Sequence, residues 1–324
     1  MQHRTLGKTG FSVSEIGLGC WQLGGDFGPV GDDTANAILG KARDLGVDFW
    51  DTADVYGGGQ SESRIGAFKP GREVHIATKV GRNGELFPNK YSKAKVKESL
   101  VGSLKRLKVE AIDLAQLHCV PTEVLADGSI FGWMDDFVQE GLLRFHGASV
   151  ETIEQGMMCL EHEGVSSLQI IFNLFRQDAA AELLPRAEKQ KVGIIVRLPL
   201  ASGLLSGKFG KSQQFTPQDH RNYNRDGAAF SVGETFSGLP FEKGVELVEE
   251  LKGINADRLA MSHLALRWIL DHPAVSTIIA GVSKPAQLDD NVAAAAREPL
   301  PSDFNAELAD WYQAKVRPYV RGAI

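Results

Sequence analysis

The sequence predicts an α/β fold in which eight parallel strands and their helices close into a single (β/α)8 TIM barrel. Short apolar runs alternate with amphipathic segments along the chain, and there are eight such runs, the count that the barrel requires. Their apolar residues are nearly continuous, as in parallel strands covered by helices. Because no linker interrupts this alternation, residues 1–324 are predicted to form one domain.

The predicted strands follow a polar β-hairpin at the N-terminus. In the hairpin, Gly7–Gly10 turns the chain between Arg4–Leu6 and Phe11–Val13. The eight predicted barrel strands are Ile16–Gly19, Asp48–Asp51, Val74–Lys79, Ile112–His118, Leu143–Ser149, Leu168–Asn173, Gly193–Leu198 and Ser276–Gly281.

Amphipathic helices are predicted between these strands. The segments Asp33–Leu45, Ser92–Lys108 and Thr152–Glu163 carry apolar residues at helical spacing. Two helices exceed the eightfold repeat, Ala256–Leu270 before the last strand and Asp303–Val316 near the C-terminus. We expect both to pack outside the barrel.

One stretch, Ser202–Pro240, lacks this periodicity and is polar, glycine-rich and punctuated by aromatic residues. Loops of this length in compact domains tend to be lids or binding loops. We therefore expect a loosely ordered lid over cofactor and substrate.

Composition excludes several classes of function. The net charge of −6 and pI near 5.8 do not favour binding to nucleic acid or to an anionic membrane. The sequence shows no secretory signal and no long uncharged apolar run, and its three cysteines form no CxxC pair, so we expect a cytoplasmic protein. Gln22 breaks a GxGxxG pattern and Ser166 breaks an HExxH pattern, so neither a Rossmann turn nor a metal site is predicted.

Titratable residues end three successive predicted strands. Asp51 ends the second strand, with Tyr56 close behind it, Lys79 ends the third and His118 ends the fourth. In a barrel these ends form the face that carries active sites. Any one of them has an ordinary structural explanation, but packing alone does not explain all four together.

This set suits proton delivery to a carbonyl that accepts hydride. The alkoxide that forms needs an acid beside it. A tyrosine has an ordinary pKa of about 10, and a neighbouring ammonium lowers it. Lys79 could supply that charge, Asp51 could hold Lys79 in place, and His118 could orient the carbonyl by a hydrogen bond.

The segments around these four residues resemble the catalytic segments of the aldo-keto reductases, and the resemblance extends over essentially the whole chain. It implies carbonyl reduction with Tyr56 as the proton donor, tuned by Lys79 and Asp51, and with His118 orienting the substrate. It also implies a nicotinamide dinucleotide, NADPH in preference to NADH, lying across the barrel mouth, and a small-molecule carbonyl substrate. The cofactor contacts that it implies are Trp21, Ser149, Gln169, Arg197, Leu204, Ser206, Lys208, Gly281, Ser283, Lys284, Gln287, Asp290 and Asn291.

Some positions depart from the family pattern. Val150 replaces a frequent Asn, and Gly281 and Gln287 replace basic residues that bind the 2′-phosphate in the best-known branch. Arg197 stands where an aromatic ring usually stacks on the nicotinamide. Two other functions remain open, an NAD(P)-dependent sugar or alcohol dehydrogenase and a redox-sensing barrel without catalysis.

Overall fold

Eight parallel strands close into a barrel in the computed structural model, which describes residues 1–71 and 73–324. Each strand pairs with its neighbours in the chain, and the last pairs with the first and closes the ring. The predicted barrel fold is confirmed. The barrel strands are β3 (Ile16–Gly19), β4 (Phe49–Asp51), β5 (His75–Val80), β6 (Ile112–His118), β7 (Leu143–Ser149), β8 (Val165–Ile171), β9 (Gly193–Arg197) and β10 (Val275–Gly281).

The hairpin closes the end of the barrel opposite the titratable residues. It consists of β1 (His3–Thr5) and β2 (Ser12–Ser14), which pair antiparallel. Leu6 and Val13 are fully buried against residues that point into the barrel, such as Phe49 and Leu114. The hairpin therefore seals the lower end of the barrel with apolar side chains.

Helices surround the barrel, and most follow a strand as expected. The described helices are α1 (Asp32–Asp44), α2 (Gln60–Phe68), α3 (Lys93–Leu107), α4 (Thr122–Asp127), α5 (Ser129–Gln139), α6 (Ile153–Cys159), α7 (Leu183–Lys189), α8 (His220–Tyr223), α9 (Phe241–Asn255), α10 (Met261–Leu270), α11 (Ala286–Ala295) and α12 (Ser302–Trp311). Ser92 caps α3 and Thr152 caps α6, each accepting a hydrogen bond from the backbone N–H three residues on.

Three predictions about these elements are wrong in detail. Strand β8 begins and ends earlier than Leu168–Asn173, because Asn173 instead pairs with Arg176 in an isolated bridge. Helix α6 is shorter than predicted, since its apolar stripe continues into a turn. The predicted helix Ala256–Leu270 begins only at Met261. It packs on β10 and α11 and so belongs to the layer of helices that covers the strands, whereas it was expected to be an addition outside the barrel.

Helix α9, which lies between β9 and α10, was not predicted from the sequence. It follows the long loop and packs its buried face, including Val245 and Val248, into the main core. Its neighbour Ala256 adopts a left-handed φ of 46° and ends the helix. The segment between β9 and β10 thus contains two helices, and the start of the predicted helix falls on the turn between them.

The stretch Ser202–Pro240 is partly packed rather than loosely ordered throughout. Its two ends are buried: Leu204 and Leu205 at the start, and the whole segment Gly233–Leu239 near the end. The part most exposed to solvent is 210–218. Only that central part has the character expected of a mobile lid.

Candidate active site

The carboxyl ends of the strands surround a cavity of about 490 Å³ at the upper face of the barrel. Its walls come from strand ends on one side and from the 202–240 loop on the other. Tyr56 and His118 both line it, with ring centroids 5.8 Å apart.

Asp51, Tyr56 and Lys79 form one hydrogen-bonded unit below this cavity. The Lys79 ammonium is fully buried and donates to the Asp51 carboxylate, to the Tyr56 hydroxyl at 3.1 Å and to the Thr52 carbonyl at 2.9 Å. These partners use all three ammonium protons. These residues were predicted to lie together with His118, and the structure brings all four to one place.

Two glutamines complete the shell around Asp51. The amides of Gln116 and Gln169 donate to its Oδ2 at 3.0 Å and 2.8 Å. Gln116 was missed in the sequence, although it lies two residues before His118 on β6 and so points to the same side of the strand. A carboxylate held by an ammonium and two amides has little freedom to turn.

The pKa values of this unit favour a protonated tyrosine. Burial raises the pKa of Tyr56 to about 12 and outweighs the Lys79 charge, which lowers it. The Lys79 charge therefore lowers the pKa of Tyr56 as expected, but the net shift of this pKa is upward. Burial alone would lower the pKa of Lys79, but Asp51 and Tyr56 raise it to about 12. Tyr56 therefore stays protonated near neutrality, and Lys79 stays charged.

His118 is neutral in this setting. Burial, followed by the charges of Lys79, Arg82 and Arg197, holds the pKa of His118 well below its ordinary value. Its Nδ1 is buried without a hydrogen-bond partner among the described residues. A neutral imidazole at the pocket wall can donate one hydrogen bond to a substrate oxygen without bringing a positive charge.

Most of the expected cofactor contacts lie on the same cavity. Those that line it are Trp21, Ser149, Gln169, Arg197, Ser206, Lys208, Gly281, Ser283 and Gln287. The Ser149 hydroxyl donates to the Gln169 amide oxygen at 3.3 Å, so these two side chains form one polar patch. Trp21 stacks near Tyr56, with centroids 5.8 Å apart, and its indole N–H donates to Asp26 at 2.9 Å.

Four of the expected contacts do not line the cavity. Leu204 is buried beside Gly244 of α9, and Asn291 is buried in α11. The Asp290 carboxylate is engaged elsewhere, accepting from Ser262 at 3.0 Å and pairing with His263 at 2.9 Å. Lys284 is exposed just outside the wall.

The turn before α11 offers a cluster of donors. The Gln287 side-chain oxygen accepts from the Ser283 N–H at 2.7 Å, the Ser283 hydroxyl at 3.2 Å and the Lys284 N–H at 3.0 Å. Donors that converge on one oxygen at the start of a helix are an arrangement that suits a phosphate. The Gln287 side-chain oxygen itself occupies the point on which these donors converge.

Arg197 is not free at the pocket wall. Its guanidinium donates to the Val150 carbonyl at 3.0 Å and lies 3.6 Å from the Glu234 carboxylate. Arg82 donates to the same Glu234 oxygen at 3.0 Å. Arg82 and Glu234 were not predicted as site residues. Arg82 lies two residues beyond the end of β5, and Glu234 reaches the site from the 202–240 loop.

Aromatic residues from two loops form the outer wall. Trp21 and Phe27 come from the segment after β3, and Tyr223 and Phe230 come from the 202–240 loop. Between them, His220 is fully buried, with its ring 4.8 Å from Trp21 and 4.3 Å from Phe27. The loop is thus docked against the segment after β3 through an imidazole.

Several residues at the pocket have strained backbone conformations. Cys119, Leu198 and Ser202 line the cavity with left-handed φ values of 45°, 54° and 56°. Such strain in non-glycine residues is concentrated at functional sites in proteins.

The described residues contain no helix long and apolar enough to cross a membrane.

Comparison with known proteins agrees with this architecture. Residues 15–313 match the model of the aldo/keto reductase family. Aldo-keto reductase YhdN of Bacillus subtilis is 31% identical over 303 residues, covering 89% of this chain and 87% of the relative.

Two solved structures share the fold along nearly their whole length. The holo form of aldo-keto reductase AKR11C1 from Bacillus halodurans superposes with a TM-score of 0.77 at 27% identity, covering 96% of each chain. The glycerol dehydrogenase AKR11B4 from Gluconobacter oxydans gives a TM-score of 0.78 at 27% identity, covering 100% of this chain and 97% of that one. The chain belongs to the aldo/keto reductase family and is an oxidoreductase of that family.

Proposed function

We propose that this enzyme reduces an aldehyde or ketone to an alcohol, with Tyr56 giving the proton and NADPH as the reductant. The observation that carries the proposal is the contact of the Tyr56 hydroxyl with the Lys79 ammonium, itself held by Asp51, at the edge of a cavity that His118 also lines. A substrate oxygen between Tyr56 and His118 would receive hydrogen bonds from both.

The residues present fit a nicotinamide dinucleotide. The patch of Ser149 and Gln169 offers acceptor oxygens for the N–H groups of a carboxamide, because the protons of both side chains already bind other groups. Lys208 is exposed at the cavity, where a cation suits phosphate oxygens. The Ser283–Lys284 turn would hold a 2′-phosphate once the Gln287 amide turned away. When bound, the dinucleotide supplies the hydride.

The protonation state of Tyr56 supports reduction as the faster direction near neutrality. Reduction needs a protonated phenol, whereas oxidation of an alcohol needs a phenolate as the base. Because burial raises the pKa of Tyr56 to about 12, the phenol predominates near neutrality. This favours reduction over the dehydrogenase reaction named for the similar protein from Gluconobacter oxydans.

The test is a steady-state comparison of both directions with both cofactors. Consumption of NADPH with 4-nitrobenzaldehyde and with glyceraldehyde should be faster at pH 7 than formation of NADPH with the matching alcohols. NADPH should give the higher kcat/KM. Faster oxidation than reduction under matched conditions would favour the dehydrogenase, and binding of NADPH without turnover of any carbonyl would favour a sensor.

A further inference from the structure

We infer that Glu234, a residue of the 202–240 loop, is a positioning residue that neutralises the two guanidinium groups beside the reacting end of the pocket. It thereby sets the relative affinity of the site for oxidised and reduced nicotinamide. The inference rests on the proposed function, because it requires that a nicotinamide bind in this cavity.

Glu234 is a buried carboxylate with two cationic partners. It accepts from Arg82 at 3.0 Å and lies 3.6 Å from Arg197, and all three residues line the cavity. Burial alone would raise the pKa of Glu234, but Arg197 and Arg82 lower it below its ordinary value. The carboxylate is therefore ionised, and it provides the negative charge that both guanidinium groups contact.

The backbone around Glu234 is fixed, so the carboxylate has a defined position. Its carbonyl accepts from the Ser202 hydroxyl at 3.4 Å, and that hydroxyl accepts in turn from the Phe236 N–H at 3.2 Å. The Asn173 amide donates to the Ser237 hydroxyl at 2.9 Å. This part of the loop is tied to the barrel and is not a moving lid.

A second acid, Glu151, contacts the cluster from its edge. It accepts from Arg82 at 3.3 Å, and its side chain is more exposed than that of Glu234, 26% against 9%. It makes no salt bridge with Arg197 within the described residues. Glu151 therefore offers a matched control, since it has the same charge and shares one cation with Glu234 but lacks the contact with Arg197.

Arg197 lies close to where hydride is transferred. Its guanidinium contacts the carbonyl of Val150, next to Ser149, and lies 3.8 Å from the sulfur of Cys119, next to His118. Hydride and proton reach the same carbonyl group, so a bound nicotinamide ring would lie beside Tyr56 and His118. It would then share the cavity wall with Arg197.

The sign of the effect follows from charge. Oxidised nicotinamide is positive and reduced nicotinamide is neutral, so an uncompensated guanidinium nearby weakens binding of the oxidised form only. With Glu234 in place, the Arg82 and Arg197 guanidinium groups each lie close to its carboxylate. Removing the Glu234 charge leaves Arg197 unneutralised, and the dissociation constant of NADP⁺ should rise relative to that of NADPH.

The experiment measures both dissociation constants by protein fluorescence, without turnover. We expect Glu234→Gln to raise the ratio of the NADP⁺ constant to the NADPH constant by about three- to tenfold, as expected for a partly screened charge. Glu234→Asp, which keeps the charge, should stay within about twofold of wild type, and Glu151→Gln should change the ratio less than Glu234→Gln does.

A second variant keeps the test decisive if Glu234→Gln does not fold. Arg197→Gln should change the ratio in the opposite direction and lower it, because the carboxylate then lacks one of its cations. The double variant Glu234→Gln/Arg197→Gln loses one charge of each sign, so its ratio should return to within about twofold of wild type.

The inference is overturned if Glu234→Gln leaves the ratio unchanged, if Arg197→Gln fails to lower it, or if the double variant keeps the raised ratio of Glu234→Gln. In those cases wild type still binds both dinucleotides and the proposed function stands. If wild type binds neither NADP⁺ nor NADPH, the proposed function itself fails.

Discussion

The two sides of the active-site cavity are built differently. The floor, formed by Asp51, Lys79, Gln116 and Gln169, lies on barrel strands and is buried and fully hydrogen-bonded. The outer wall is formed by the 202–240 loop and the segment after β3, and it is held by ion pairs, by contacts between rings and by a buried imidazole. The strand side can fix proton chemistry, while the loop side can vary with substrate and cofactor.

The largest losses of stability and activity are expected when the floor of the cavity loses its buried cation. Lys79→Met would leave the Asp51 carboxylate buried without its cation, so stability should fall by about 3–5 kcal/mol and kcat by at least about 10²-fold. Urea unfolding and steady-state rates measure the two losses.

An exposed ion pair provides the control for this substitution. Lys93 contacts Asp136 at 2.6 Å with both side chains nearly half exposed. Lys93→Met should cost less than about 1 kcal/mol, because exposed pairs contribute little. Similar losses for the two variants would contradict the claim that the floor depends on burial of its charges.

The next largest effect is the dependence on pH of the stability that His220 gives to the outer wall. Burial lowers the pKa of His220 to about 4, against 6.5 for an ordinary histidine. The unfolded chain therefore takes up a proton at His220 more readily than the folded chain does. The contribution of His220 to the free energy of unfolding is complete above pH 6.5 and is lost as the pH falls from 6.5 towards 4. The loss should reach about 3 kcal/mol at most.

Substitution at this position tests the pH effect. His220→Phe keeps a ring between Trp21 and Phe27 but cannot take up a proton. The difference in unfolding free energy between pH 7 and pH 5 should therefore be smaller in the variant than in wild type. Equal differences would show that His220 does not contribute to acid sensitivity.

A smaller effect is expected at the 2′-phosphate end of the cavity. Lys284 lies beside the donor cluster of Ser283, so Lys284→Ala should weaken NADPH binding by about 1–2 kcal/mol and leave NADH nearly unchanged. Fluorescence titration with both cofactors measures this. Equal losses for the two would separate Lys284 from recognition of the phosphate.

The smallest expected effect distinguishes the exposed part of the 202–240 loop from its buried part. NADP⁺ binding should increase hydrogen-exchange protection in 210–218, which is mostly exposed, through phosphate contacts at Ser206 and Lys208. The buried segment Gly233–Leu239 should change little, since it is already tied to the barrel. Equal changes in both segments would mean that the whole loop moves as one body.

The same contrast explains what could be predicted from sequence. Asp51, Lys79 and His118 were predictable because strand periodicity and barrel geometry place strand ends together. Glu234, Arg82 and His220 were not, because their positions depend on loop backbone conformation and on contacts between distant segments. The 202–240 loop was identified as functional from its composition, but its buried anchors were not.

The net direction of the tyrosine pKa was also beyond the sequence. Adjacent charges can be inferred from motifs, so the lowering by Lys79 was expected. The burial that raises the pKa of Tyr56 depends on the three-dimensional packing around the hydroxyl. Helix α9 was missed for a related reason, since it follows an irregular loop and the predicted helix was centred on the next one.

Proton donation by Tyr56 is tested by the substitution Tyr56→Phe. The substitution removes only the hydroxyl, so kcat should fall by about 10²–10⁴-fold while the dissociation constant of NADPH changes by less than about twofold. Tyr91→Phe is the matched control, because the Tyr91 hydroxyl donates to the Gly81 carbonyl at 2.7 Å and does not line the cavity. That variant should keep nearly full kcat. If Tyr56→Phe also keeps kcat close to that of wild type, Tyr56 is not the acid and the account is wrong.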